Sequence, residues 1–238
     1  MATAPSTTTA ILTHLSTKSL TPTTTWLSSF LSSSRPNIPI AALKQTALFR
    51  LLNTDITTTL QRTPTSIFPA DILNAQIQSR QLAGPIPVQV LEIEDVGSSK
   101  LNQVEAMEAA ERGETTKGRE VIRVVPGETD GVPDAGEVGA SAGAGSGGSH
   151  GPYKLLVQDA KGVRIYAFEM ESVEGVNASM AIGAKLVLRN VLVARGVVML
   201  DRASVVVLGG KIEEMHKKWM EGKKERLKAG MTGGQDAA

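Results

Sequence analysis

The chain predicts an α+β fold: a helical N-terminal bundle packed on a small antiparallel barrel or sandwich, closed by one C-terminal helix. Three observations carry this. Residues 153–210 alternate apolar and polar side chains in short runs, each ending at glycine or a polar turn, as half-buried strands do. Residues 26–52 repeat apolar side chains every three or four positions instead, the period of an amphipathic helix. Between 98 and 151 the strand pattern is interrupted by a segment whose second half is rich in Gly, Ala and Ser. That is too long for an ordinary connection within a compact domain.

Taken in order, residues 1–40 are rich in Ser and Thr, and the first acid is Asp55. Transit peptides share that composition, but the first basic residue is Lys18, and short helices with hydroxyl caps explain the segment better. Leu12 and Leu15 line a first helix. Pro22 and Thr23–Thr25 read as a helix start, followed by the stripe Trp26, Leu27, Phe30 and Leu31. Pro36 and Pro39 separate a third helix carrying Leu43, Ala47, Leu48, Leu51 and Leu52, which ends at Asn53-Thr54-Asp55. Three helices this short need a partner surface, and the barrel supplies one. Asp71–Arg80 is expected as a further helix with Ile72, Leu73 and Ile77 inward, closed by Gly84-Pro85.

Residues 86–96 read as the first strand, with Val88 and Val90 alternating with Gln89, Glu92 and Glu94. Leu101–Arg112 is a helix former with Leu101, Val104 and Met107 along one side. Arg119–Val125 is a short strand or a sticky linear segment, and Pro126–Gly151 a flexible linker. Its Gly/Ser run at 139–149 lacks the Lys-Ser/Thr ending of a phosphate loop. In the strand region Leu155, Val157, Val163, Ile165, Ala167, Leu186, Leu188, Val191 and Val193 are expected to face inward, with a tight turn at Asp159–Gly162. Lys211–Lys228 is expected as one charged helix docking through Ile212, Met215, Trp219 and Leu227. The expected domains are therefore 1–80 (helical), 84–210 (barrel, with 98–151 inserted) and 211–229 (C-terminal helix).

Composition removes several function classes. With no cysteine, disulfides and thiolate metal sites are excluded. The three histidines, His14, His150 and His216, are far apart in sequence, so neither a metal site nor a cofactor is expected. No apolar run reaches the length of a membrane span. Residues 1–80 and 152–238 each carry a net charge of +4, and residues 97–151 carry −4. No nucleophile elbow, nucleotide-binding lysine motif or paired-histidine spacing is present. Glu92 and Glu94 share a strand face, but without a neighbouring base they read as solvated. No catalytic residue and no small-molecule substrate is expected. Tyr153, Tyr166 and Phe168 are the only rings in the strands, and alternation puts the last two on one face, a thin platform for stacking bases.

These residues together resemble the RecQ-mediated genome instability protein 1 family. The resemblance runs from about Trp26 to Met220 and rests on GPIPVQVLEIEDVGSSKLNQ, on YKLLVQDAKGVRIYAFE ending at Glu169, on IGAKLVLRNVLVARGVVML, and on the closing Val207-Leu208-Gly209-Gly210. It implies the short form, with one five-stranded oligonucleotide/oligosaccharide-binding (OB) barrel carrying a long insertion after its first strand. It also implies a nuclear, non-catalytic subunit that works with a RecQ helicase and a type IA topoisomerase (topoisomerase III) to dissolve double Holliday junctions. In that family the insertion reaches the topoisomerase gate. The matching candidates for partner binding are Leu101, Val104, Met107, Val121, Ile122, Val124 and Val125.

Two other readings compete. A stand-alone module for single-stranded or junction DNA would bind weakly through Lys211, Lys217, Lys218, Lys223 and Lys224, with salt-dependent affinity. An enzyme would need a cluster of His, Ser or acidic residues that the chain does not offer.

Overall fold

The computed structural model describes residues 7–34, 38–112 and 151–232. Three helices open the chain as expected: α1 (Thr7–Thr17), α2 (Thr24–Ser33) and α3 (Ile40–Leu52). Thr23 caps α2 by accepting the Trp26 N–H, and Asn53 terminates α3. A fourth single turn follows, α4 (Ile56–Thr59), capped by Asp55. Ile11, Leu15, Leu27, Phe30, Leu43, Ala47 and Leu51 form the core of this cap, and Trp26 stacks on Phe30 at 5.5 Å.

The strands are β1 (Arg80–Leu82), β2 (Ile86–Asp95), β3 (Tyr153–Asp159), β4 (Arg164–Glu169), β5 (Lys185–Leu188), β6 (Val191–Ala194), β7 (Val197–Leu200) and β8 (Val205–Gly209). They form one mixed sheet in the order β1-β6-β7-β4-β3-β2-β5-β8. Every pairing is antiparallel except β4 with β7. Only Arg189 and Asn190 separate β5 from β6, yet β5 pairs with β2 and β6 with β7. Asn190 makes this corner at φ 47°, its N–H donating to the Ala83 carbonyl at 3.0 Å; asparagine tolerates such a φ better than most residues. The corner curls the sheet around Val88, Val90, Leu155, Val157, Ile165, Ala167, Leu186, Leu188 and Val198, all nearly or fully buried. Val163 is partly buried in the turn instead.

α5 (Lys100–Glu111) lies between β2 and β3, and α6 (Glu213–Glu221) and α7 (Lys223–Thr232) follow β8. Met215 and Trp219 pack on the barrel core, and Leu227 is buried.

Several expectations need correction. Among the described residues the sheet has eight strands rather than five, because the bent segment registers as β5 and β6 and short strands β1 and β8 extend the two ends. Asp71–Arg80 is not helical. The Asn74 side chain takes the Gln76 N–H, and Ile77 accepts the Arg195 N–H, so turns and sheet contacts outcompete a helix; Ile72 is buried but Leu73 is 58% exposed. Ile86 begins the second strand, not the first. The C-terminal helix is two helices, broken where Gly222 caps α6. Gln89, expected on the polar side of β2, is fully buried.

Polar contacts join cap and barrel. The Gln89 carboxamide oxygen accepts the Ile56 N–H at 2.9 Å. The Lys211 N–H donates to Asn53 at 2.9 Å. Gly210 sits at φ 95°, and a Cβ there would lie 2.4 Å from the Leu52 carbonyl oxygen. Asp159 is completely buried. Its carboxylate accepts the N–H groups of Phe68 (2.8 Å), Lys161 (3.0 Å) and Val163 (2.8 Å), binding the β3–β4 turn to the segment entering the barrel. Stranding these buried donors is costly. Asp159→Ala should therefore lower the unfolding free energy by about 3 kcal/mol in urea titrations, and a loss below about 1 kcal/mol would show the network to be dispensable.

Lys185 is also fully buried, its ammonium donating to the Gly183 carbonyl at 2.7 Å. Burial lowers its pKa from 10.5 to about 7, opposed by the negative charge of Asp55. In the unfolded chain the amine keeps its proton to about pH 10.4. Between those values the unfolded chain binds more protons than the folded one, so this group makes stability rise with pH. Unfolding free energy should climb from pH 7 to 9 by at most about 1.4 kcal/mol per unit on its account. Lys185→Met should flatten that slope; an unchanged slope would assign the proton elsewhere.

Candidate partner-binding interface

The inserted segment leaves and rejoins the sheet at one point. At its start the Asp95 carboxylate accepts the N–H groups of Gly97 (3.0 Å) and Ser98 (3.2 Å). The Gln103 amide donates to the carbonyls of Asp95 (3.1 Å) and Ser98 (2.9 Å), and Ser99 caps α5 by accepting the Asn102 N–H. At its end the Val96 N–H donates to the Pro152 carbonyl at 3.0 Å. Gly97 lies so close to Gly151 that a Cβ would fall 2.0 Å from the Gly151 oxygen, so this approach requires glycine. Buried Glu169 accepts the N–H groups of Tyr153 (3.0 Å) and Val173 (2.9 Å), fixing the re-entry into β3.

From this root α5 rises against α7. Val104 is 4% exposed and Met107 half-buried, whereas Leu101 is 54% exposed. Of the predicted anchors on α5, Leu101 is thus presented to solvent and Val104 holds the helix in place. Val121, Ile122, Val124 and Val125 lie outside the described residues. Ion pairs complete the α5–α7 contact: Lys224 with Glu111 (2.7 Å) and Glu108 (3.4 Å), and Lys228 with Glu108 (3.0 Å). Lys228 and then Lys224 hold the Glu108 carboxyl below its usual pKa. Glu111, above all, raises that of Lys224.

The five lysines expected to meet phosphates do not form one free array. Lys211 pairs with Glu213 at 2.9 Å and Lys217 with Glu221 at 3.9 Å, while Lys224 is held by α5. Lys223 sits 5.4 Å from the centre of the Trp219 ring, its pKa lowered by burial and by Arg226 against the pull of Asp95. Lys218 is exposed with no ion pair among the described residues.

A cavity of about 230 Å³ opens beside the root, lined in part by Ile93, Leu156, Tyr166, Trp219 and Leu227. Lys154 borders it, paired with Glu94 at 2.5 Å and lying 5.4 Å from the Tyr166 ring centre. Sequence spacing did not place Trp219 and Tyr166 in one cavity, because they line it together only when α6 docks on the sheet. Among the described residues no group of His, Asp or Glu converges as metal ligands, and no helix is long and apolar enough to cross a membrane.

A helix-capped OB-fold domain that presents an inserted segment from a closed root defines the class of protein. The chain belongs to the RMI1 family: residues 68–223 match the family's N-terminal OB-fold domain, and residues 15–59 its N-terminal helical domain. It is also similar to RecQ-mediated genome instability protein 1 of Schizosaccharomyces pombe, with 32% identity over 148 residues, 60% of this chain and 61% of the relative. The chain thus spans about six tenths of that relative's length.

Surface ion pairs stabilise weakly and locally, so Glu108→Lys should act on α5 rather than on the whole fold. Hydrogen exchange should quicken over residues 100–111 while the strands stay protected. Unchanged protection of α5 would show that Val104 packing alone holds it.

Proposed function

We propose that this chain is a non-catalytic subunit of a complex between a RecQ helicase and a type IA topoisomerase. It acts in the nucleus, in DNA repair, recombination and replication, and serves genome stability. It binds the topoisomerase through the barrel and its insertion and promotes dissolution of double Holliday junctions. Family membership supports this reading. The observation that carries it structurally is the closed root, where Val96 bonds Pro152 and Gly97 abuts Gly151. A barrel that detours at a fixed point presents that detour to something else.

The subunit needs no chemistry of its own. A segment seated beside the gate biases the gate's open–closed equilibrium by as much as its affinity differs between the two states. The anchors are Leu101 on α5 and the apolar run Val121, Ile122, Val124 and Val125; a few such side chains dominate most interfaces. The alternative, DNA binding through the C-terminal lysines, is weakened because Lys211, Lys217 and Lys224 already face carboxylates.

Replacing Val121, Ile122, Val124 and Val125 together with serine should abolish co-purification with the type IA topoisomerase and leave the melting temperature unchanged. Retained co-purification would remove the insertion from the interface.

A further inference from the structure

We propose that the outward face of α3 docks an acidic amphipathic helix of a partner protein, with Phe49 as its anchor. The core-facing side of α3 is Leu43, Ala47 and Leu51. On the helical period the opposite side carries Ala41, Ala42, Gln45 and Phe49, all exposed. Phe49 is 69% exposed, more than any other large apolar side chain described. The chain has four phenylalanines; Phe30 and Phe68 are buried and Phe168 is half-buried. Phe49 alone stands in solvent and joins neither core. A ring rising beside alanines suits a second helix, whose backbone can come close over the small side chains while the ring fills a gap between its own.

Charge selects the occupant. Residues 1–54 contain Lys18, Arg35, Lys44 and Arg50 and no acid. Lys44 and Arg50 lie on opposite flanks of the Phe49 row, and Lys18 follows α1, which packs beside α3. None of these three forms an ion pair among the described residues. The Arg50 guanidinium lies over the Phe30 ring at 5.5 Å and donates to the Ser33 hydroxyl at 2.8 Å, so its charge is held in place without being neutralised. The next acid along the chain, Asp55, accepts the Thr57 N–H and hydroxyl, each at 2.9 Å. Glu213, near the end of α3 through Lys211, is paired with that lysine. A face with fixed positive charge and no acid of its own attracts an acidic partner and rejects a basic one. A phosphate backbone would need a denser row of cations, and one ring cannot stack successive bases.

This face belongs to the helical cap rather than to the insertion, and its test contains no topoisomerase, so it and the topoisomerase reading can fail separately. The probe is a synthetic amphipathic helix with leucine on one face and glutamate on the other, titrated into the isotopically labelled full chain. Amide shifts should move along α3, and affinity should fall as salt rises. The same helix with lysine in place of glutamate should bind about tenfold more weakly. Phe49→Ala should raise Kd about tenfold and leave the melting temperature unchanged, because the ring supports no core, and Phe49→Trp should restore binding. Lys18→Gln with Lys44→Gln should reduce the salt dependence; Arg50 is kept, because it packs on Phe30. Any of four results would overturn the proposal: no shift along α3 with the glutamate helix, equal affinity for the lysine helix, parental affinity in Phe49→Ala, or oligothymidine moving the same amides. A dimer of the chain alone that is lost in Phe49→Ala would also overturn it, by assigning the face to a second copy.

Discussion

The fold depends on one corner. Two residues, Arg189 and Asn190, carry the chain from a strand paired at one end of the ladder to a strand paired near the other. A flat sheet cannot satisfy both pairings, so the sheet curls, and the curl creates the apolar interior of the barrel. Everything else is placed against that interior. The helical cap meets the barrel where Asp159 and Gln89 turn buried polar groups toward backbone N–H groups of the incoming chain. The C-terminal helices lie where Met215 and Trp219 reach the core.

This arrangement separates scaffold from display. Buried side chains and paired backbone concentrate in the sheet and cap. The described surface includes the root of the insertion with α5 and α7, and the β3–β4–β7 face with Tyr166. They meet at the cavity beside Lys154.

Much of the scaffold was legible in the sequence, because it rests on periodicity. Alternation identified Leu155, Val157, Ile165 and Ala167 as inward, and the three-four repeat identified Leu27, Phe30, Ala47 and Leu51. The turn at Asp159–Gly162 was legible as a turn, but the reach of its carboxylate to Phe68 was not. Gln89 looked like a solvent position because it is polar; its burial is set by Ile56 and Met215, which come from distant parts of the chain. The same holds for the lysines of α6 and α7. As a list they suggested a basic surface, but Glu108 and Glu111, more than a hundred residues away, neutralise part of it. The Tyr166–Trp219 cavity had no linear signal at all.

The contact of Gly97 with Gly151 has a further meaning. The sheet sees the insertion as a connection of almost no span, because its ends already touch. Lengthening such a loop costs only about 0.6 kcal/mol for each doubling, and none of that cost is transmitted as strain to β2 or β3. The barrel can thus carry inserted segments of very different length and composition without changing its own packing. Reach becomes a property that sequence drift can tune, while the two glycines at the base keep the account closed.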